Sequence, residues 1–280
     1  MTTAARTALI MLDYQIALID QGPLGRAAPL AAQVAKRGVV EKAKGVLAAA
    51  REAGLFIMHV RLAFDETYLL RTNRLARFDG YPNAHAMLKN SPEAAIVPEL
   101  APAPGEPVLD KGCVDPFVGS PLLHVLHAEG IHDIIIGGIA TTLVVESTAR
   151  HGSDAGLQIT IVEDMCASFS SAAHEASMAV MPMFGTVATS SEVVVLITSS
   201  RILVQNRDPA NRKPENSAPC ADPETLSVLF IPFRELTPRS AAPSPPRIDP
   251  SSSRRCPTCA PATCSPSKKS TVSAATSSRA

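Results

Sequence analysis

Short apolar runs alternate with segments of helical periodicity from residue 7 to about residue 190 of this 280-residue chain. The runs place apolar side chains at consecutive positions, which is typical of strands that are buried on both faces. They fall at residues 8–12, 55–60, 107–110, 134–136, 158–162 and 186–188. Repeated strand–helix units of this kind predict a doubly wound, three-layer α/β/α fold, in which helices cover both faces of a mainly parallel sheet.

The segments between the apolar runs are of two kinds. Helical spacing predicts helices at residues 35–53, 121–128, 142–155 and 172–181, and Gly54 ends the first of them. Residues 64–104 instead carry several prolines and no clear period. Their length and composition predict a lid or an active-site loop.

The composition changes after about residue 197. Residues 1–197 carry 14 Lys and Arg against 20 Asp and Glu, a net charge of −6, and the remainder carries 12 against 6, a net charge of +6. The remainder is rich in Pro, Ser and Ala, and it has too little periodic apolar surface to offset its ordering entropy. The sequence therefore predicts a globular domain over residues 1–197 and a disordered tail over residues 198–280.

Charge and hydropathy argue against two classes of partner. An acidic domain has no electrostatic basis for binding nucleic acid. No apolar run approaches the ~20 residues that span a bilayer, and the first residues lack the organisation of a signal peptide. We therefore expect a cytoplasmic protein without nucleic-acid or membrane partners.

Three features follow predicted strands at the ends where doubly wound sheets bind ligands. Asp13 follows the first strand, Lys111 follows the third, and a glycine-containing turn at residues 137–144, here called the elbow, follows the fourth. Taken singly, Asp13 is typical of a helix cap and Lys111 of a solvated loop. Taken together, a carboxylate and an ammonium at neighbouring strand ends beside the elbow predict an active site where the two side chains converge.

The order of these motifs resembles that of the isochorismatase-like hydrolase superfamily, the cysteine hydrolase fold. The matching features are Asp–x–Gln at residues 13–15, Lys111 ahead of F-x-x-S-x-L at 117–122, and G-I-A-T followed by T-A-R at 138–150. The resemblance covers about residues 7–190 and implies a parallel α/β sheet flanked by helices. Amidases of this superfamily use an Asp–Lys–Cys triad, with the cysteine sixth after the elbow glycine, and here that position is Val144.

The resemblance implies that Asp13 and Lys111 are catalytic, whereas Val144 occupies the nucleophile position and offers only its backbone N–H. A valine side chain has no lone pair, so no acyl-enzyme can form there. Isochorismatases also lack the cysteine: an acid, here Asp13, protonates the enolpyruvyl methylene of a vinyl ether, and water adds to the cation. The resemblance further implies a cis peptide at Ile139–Ala140, and substrate contacts from Gln15, Ile139, Ala140 and Thr141. Phe117 is an aromatic near the predicted pocket, and we expect it either to contact the substrate or to pack in the core.

Three functions remain open from the sequence. The first is a hydrolase of isochorismate type that acts on a small molecule without a cysteine nucleophile. The second is an amidohydrolase in which Asp13 activates water directly. The third is a catalytically inactive small-molecule-binding or interaction protein. The presence of both Asp13 and Lys111 favours an enzyme.

Metals and disulfides are not expected. The histidines nearest the predicted site, His59 and His85, are too scattered in the sequence to form a ligand set with an aspartate. We therefore expect no metal and no cofactor, and we interpret Cys113 and Cys166 as packing residues. The resemblance also implies a homo-oligomer, because members commonly form dimers or tetramers.

Overall fold

Six apolar segments pair side by side into one sheet in the computed structural model of the protein, which describes residues 6–207. The strands are β1 (Arg6–Leu12), β2 (Phe56–Leu62), β3 (Val108–Lys111), β4 (Ile131–Gly138), β5 (Gln158–Val162) and β6 (Thr186–Ala188). All pair in parallel, in the order β3-β2-β1-β4-β5-β6. The doubly wound parallel fold predicted from the sequence is confirmed.

Helices connect these strands. The α-helices within residues 6–207 are α1 (Ile16–Ile19), α2 (Ala28–Arg37), α3 (Val39–Ala53), α4 (Ala76–Asn83), α5 (Leu122–Ala128), α6 (Glu146–Asp154), α7 (Ser171–Val180) and α8 (Ser190–Arg207). A π-helical turn, Thr141–Val145, precedes α6. Short 3₁₀ turns lie at Pro92–Ala94, Pro98–Leu100, Glu163–Met165 and Met181–Met183.

Alternate residues of the inner strands enter two separate cores, one on each side of the sheet. In β1, Leu9 and Met11 pack with α2, α3 and α8, whereas Ala8, Ile10 and Leu12 pack with α5 and α6. Strands buried on both faces need apolar residues at every position, which explains their continuous apolar runs.

Two helical segments differ from the sequence prediction. The helix predicted at residues 35–53 is divided at Gly38, whose left-handed φ of 64° ends α2 and starts α3. The segment at 64–104, expected to be irregular, contains α4 and two 3₁₀ turns. In both cases tertiary packing selects structure that the local pattern does not specify.

The chain beyond the last strand forms α8, which the sequence analysis did not predict. This helix crosses position 198, where the predicted tail begins, and reaches Arg207. The rest of the predicted tail lies outside the described residues, so the division into a domain and a disordered tail stays a prediction. None of the helices within residues 6–207 has the length and apolar character needed to cross a membrane.

The sheet order puts a ligand-binding crevice beside β1. From β1 the chain winds outward to β3, then returns to β4 on the other side of β1 and winds outward again. Ligands in such sheets bind at the carboxyl ends of the two strands where the direction reverses. Asp13 follows β1 and the elbow follows β4, so both lie at this point.

Candidate active site

Asp13 is held at the end of β1 by backbone hydrogen bonds. Its N–H donates to the Val60 carbonyl at 2.8 Å, and its own carbonyl accepts from the Gln15 N–H at 2.7 Å. Its φ is 55°, in the left-handed region that aspartate tolerates better than most side chains. The turn directs the chain out of the sheet while Asp13 itself stays buried.

The Lys111 side chain, at the end of β3, reaches Asp13 at the end of β1. Its Nζ lies 2.9 Å from Asp13 Oδ2 and donates to the Cys113 carbonyl at 2.9 Å. The predicted convergence of the two side chains is confirmed, but their strands are not neighbours, because β2 lies between β1 and β3. The long lysine side chain spans this gap. Only 2% of it is exposed, so the ion pair is shielded from water.

The Asp13 carboxyl is only partly satisfied. Its Oδ1 is buried and has no hydrogen-bond partner within the described part of the chain. Burial raises the pKa of Asp13 above its ordinary value, and the charge and hydrogen bond of Lys111 offset part of this rise. The arrangement leaves one oxygen available for proton transfer and uses the other to bind Lys111.

The elbow packs tightly against the end of β1. The Ile139 N–H donates to the Leu12 carbonyl at 3.1 Å. A Cβ on Gly138 would lie 2.5 Å from the Leu12 Cβ and from its carbonyl oxygen, and one on Gly137 would lie 2.9 Å from the Tyr14 hydroxyl. Only glycine allows this approach. The peptide bond Ile139–Ala140 is cis, as the resemblance implied.

A network of polar side chains is hydrogen-bonded to Thr141 of the elbow. Thr141 Oγ1 lies 2.9 Å from His174 Nδ1, and His174 Nε2 lies 2.7 Å from Glu163 Oε1. Glu163 also pairs with Arg37. Burial lowers the pKa of His174, and its hydrogen bond to Glu163 opposes this shift. The network joins the elbow to α2 and α7.

A cavity of about 420 Å³ opens beside Asp13, Lys111 and the elbow. Ile139, Ala140 and Val144 line it from the elbow, as the sequence analysis expected. Val144 is 1% exposed and also contacts the core on that side of the sheet. The residue at the nucleophile position is therefore an apolar part of the cavity wall.

Three predicted substrate-binding residues do not line this cavity: Gln15, Phe117 and Thr141. Gln15 instead donates to the carbonyls of Leu62 and Ala94, both at 2.9 Å, and accepts from the Leu62 N–H at 2.8 Å. These bonds fasten the turn after β1 to β2, which is a positioning contact. Phe117 packs in the core beside His151.

Other cavity residues were not found from the sequence. They include Arg26, Arg77, Phe78, Tyr81 and Phe169, and most come from the segments after α1 and around α4. No sequence motif singles out the two arginines. Nothing in the local pattern of residues 64–104 distinguishes a cavity arginine from a solvated one.

The two cysteines among the described residues are both buried and free. Burial raises the pKa of Cys166 to about 12, and its Sγ donates to the Val162 carbonyl at 3.2 Å. Cys113 lines the cavity, but its Sγ donates to the Asp115 carbonyl at 3.3 Å. Neither contact activates a thiol for attack. Residues 6–207 also hold no group of three or more His, Cys, Asp or Glu side chains arranged to bind a metal.

Known proteins match this chain in sequence and in fold. The family model described as the isochorismatase domain matches residues 7–192. The chain belongs to the isochorismatase family. Ureidoacrylate amidohydrolase RutB of Cronobacter sakazakii is 34% identical over 159 residues, which cover 52% of this chain and 68% of that protein. Maleamate amidohydrolase of Pseudomonas putida is 28% identical over 173 residues, 62% of this chain and 78% of that protein.

Solved structures agree on the fold. A cysteine hydrolase from Pseudomonas syringae pv. phaseolicola superposes with a TM-score of 0.62 at 24% identity, covering 71% of this chain and all of that chain. The chain is thus a hydrolase of the isochorismatase family, which confirms the prediction of an enzyme.

Proposed function

We propose that this hydrolase cleaves a small molecule without a covalent intermediate, and that Asp13 carries the proton in the reaction. The observation that supports this most is the buried Asp13 Oδ1, which lacks a partner among the described residues and belongs to the same cavity wall as Val144. A proton-transfer group is available there, and the side chain at the nucleophile position has no lone pair. Hydrolysis of a vinyl ether, as in isochorismate, needs a proton donor and proceeds without a side-chain nucleophile.

The proposed reaction begins with a protonated Asp13. The carboxyl transfers its proton to the terminal methylene carbon of the enol ether, which leaves an oxygen-stabilised cation and the Asp13 carboxylate. Water adds to the cation and returns a proton to the carboxylate, and the hemiketal then breaks into a ketone and an alcohol. Burial supports this role because it raises the pKa of Asp13 toward the working pH.

Lys111 would act through Asp13. By holding Oδ2 at 2.9 Å it orients the carboxyl and keeps Oδ1 toward the reaction. Its ammonium also stabilises the carboxylate that remains after proton transfer. The Ala140 N–H forms no hydrogen bond with other described residues, so it is available to bind a substrate oxygen.

Hydrolysis of a small amide is the second candidate, and the names of the two relatives favour it. In this reaction the Asp13 carboxylate would remove a proton from water, which attacks the amide carbonyl directly. The backbone N–H groups of Ala140 and Val144 would then bind the oxyanion. The protonated Asp13 would return this proton to the amide nitrogen, so that the C–N bond breaks, ammonia leaves and a carboxylic acid remains.

Product analysis tests both reactions. The full chain is incubated with isochorismate and, separately, with a panel of small amides, while pyruvate and ammonia are measured. The proposal expects pyruvate release that Asp13→Asn reduces by at least about 100-fold. Ammonia release with the same dependence on Asp13 would select the amide reaction. Activity on either substrate that survives Asp13→Asn would contradict the proposed role of Asp13.

A further inference from the structure

We infer that His174 is a positioning residue: through a hydrogen bond to Thr141 it holds the elbow so that the Ala140 N–H is oriented for the substrate. The inference rests on the proposed function, in which this N–H binds a substrate oxygen. It gives a role to Thr141, His174 and Glu163, none of which lines the cavity. These side chains would act on the substrate only through the backbone of the elbow.

Thr141, His174 and Glu163 are hydrogen-bonded in the order hydroxyl, imidazole and carboxylate, which is also the order in a hydrolytic triad. Thr141 is 0% exposed and His174 is 1% exposed. Because the buried hydroxyl is not part of the cavity wall, it cannot attack a molecule held there. We therefore interpret this series of hydrogen bonds as a support for the elbow.

The direction of each hydrogen bond follows from the charges. Burial raises the pKa of Glu163, but the hydrogen bonds from His174 and Arg37 lower it by more, so the carboxylate is ionised and only accepts. His174 Nε2 therefore carries a hydrogen. Burial lowers the pKa of His174 and outweighs the opposing effect of Glu163, so the ring is neutral at neutral pH. A neutral ring with a hydrogen on Nε2 has an acceptor at Nδ1, and the Thr141 hydroxyl donates to it.

Thr141 is held by its backbone as well as by its side chain. Its N–H donates to the Ala167 carbonyl at 2.8 Å. The preceding carbonyl, that of Ala140, accepts from the Leu143 N–H at 3.1 Å. Both polar groups of the peptide between Ala140 and Thr141 are therefore engaged. The Ala140 N–H has no partner among the described residues, and these contacts hold it in one orientation.

The other end of the network is attached to the segment that follows β5. Glu163 comes directly after this strand and pairs with Arg37 of α2. Arg37 Nε also donates to the Cys166 carbonyl at 3.1 Å. The carbonyl that accepts from the Thr141 N–H, that of Ala167, belongs to the same segment. His174 thus connects the elbow after β4 to the end of the neighbouring strand, whose position the sheet fixes.

Two substitutions of Thr141 separate the hydrogen bond from packing. Thr141→Val keeps the shape and removes the hydroxyl, whereas Thr141→Ser keeps the hydroxyl and removes a methyl group. His174→Gln keeps a donor toward Glu163 but has no acceptor in place of Nδ1. The control is Thr148→Val, because Thr148 is equally buried and its hydroxyl donates to the Val144 carbonyl at 2.6 Å instead of to His174.

Two NMR measurements on the full chain read the hydrogen bond directly. Hydrogen exchange gives the protection factor of the amide at residue 141. The ¹⁵N signals of labelled histidines show which ring nitrogen carries the hydrogen, and the His174 signal is the one that His174→Gln removes.

We expect the protection factor at residue 141 to fall by about 10-fold in Thr141→Val and in His174→Gln, because both remove the same hydrogen bond. The double variant should lose no more than either single variant, and Thr141→Ser should keep the parent value. The His174 signal should be that of a neutral ring with its hydrogen on Nε2, and it should change in Thr141→Val but not in Thr148→Val. Additive losses, a larger loss in Thr141→Ser than in Thr141→Val, or a hydrogen on Nδ1 would overturn the inference.

Turnover tests whether the hydrogen bond matters for the reaction. In the pyruvate and ammonia assays, we expect kcat to fall by about 10-fold in Thr141→Val and to remain near the parent value in Thr141→Ser. Full turnover by Thr141→Val would overturn the positioning role. The NMR readouts need no substrate, so they succeed or fail independently of the proposed reaction.

Discussion

The protonation state of Asp13 separates the two proposed reactions at the scale of a single residue. A general acid must hold its proton, whereas a general base must have lost it. Burial raises the pKa of Asp13 above 3.8. The pH range in which Asp13 changes its charge is therefore shifted toward the range in which an enzyme is usually assayed.

We predict the sign of the pH dependence from this shift. If Asp13 is the general acid of vinyl ether hydrolysis, kcat/KM is constant at low pH and falls as the pH rises through the pKa of Asp13. If Asp13 is the base of amide hydrolysis, kcat/KM rises through the same range. Rates measured from about pH 4 to about pH 8 distinguish the two. A kcat/KM that rises with pH would contradict the acid role, and one that falls with rising pH would contradict the base role.

Val144 offers a second test at this scale. A thiol introduced by Val144→Cys would lie in the cavity wall beside the Lys111 ammonium and near the start of a helix, and both lower the pKa of a thiol. We expect it to react with iodoacetamide faster than Cys113 or Cys166, as measured by mass spectrometry. The matched control is Val145→Cys, because Val145 is equally buried but does not line the cavity. Equal labelling of the two introduced thiols would mean that residue 144 does not face the site.

At the scale of elements, the elbow depends on how closely β4 approaches the end of β1. Its glycines were recognisable in the sequence as a strand-to-helix turn, and the motif order located Asp13 and Lys111. The distance between those two side chains could not be deduced from the sequence, because it depends on the sheet order. The sequence suggested neighbouring strands, and the structure places β2 between them.

Alanine substitution of two glycines tests this close approach. Gly138→Ala would force a Cβ to within 2.5 Å of Leu12, so we expect the free energy of unfolding to fall by about 1–3 kcal/mol or more. Gly45→Ala is the control. Gly45 lies inside α3, and no atom beyond its own helix backbone lies within 4 Å of the position that a Cβ would occupy, so the free energy of unfolding should rise by about 0.5–1 kcal/mol. Urea unfolding measures both, and a Gly138→Ala variant as stable as the parent would show that the elbow can relax.

At the scale of the whole molecule, the sequence predicts the layers better than the cavity. Continuous apolar strands can be recognised from local pattern alone, because burial on both faces removes polar positions. The cavity wall is assembled from distant segments, and Arg26 and Arg77 line it together with Asp13 only because residues 64–104 pack beside the end of β1. Glu93 is an example: its carboxylate accepts hydrogen bonds from Arg26 Nε and from the Met87 N–H, and so connects two segments of the cavity wall. Local periodicity contains no information about such contacts.

The end of the folded domain is the remaining prediction at this scale. Val193 of α8 is 1% exposed and packs in the core that contains α3, whereas Val195 is 65% exposed. Limited proteolysis of the full chain, followed by mass spectrometry, should therefore leave a fragment that retains the first turns of α8 and ends near residues 198–207.

Val193→Asp should move the cleavage to before α8, because a buried unpaired carboxylate detaches the helix from its core. Val195→Asp should leave the fragment unchanged. Protection of residues 235–280 in the parent would contradict the predicted tail, and equal fragments from the two variants would contradict the packing of α8.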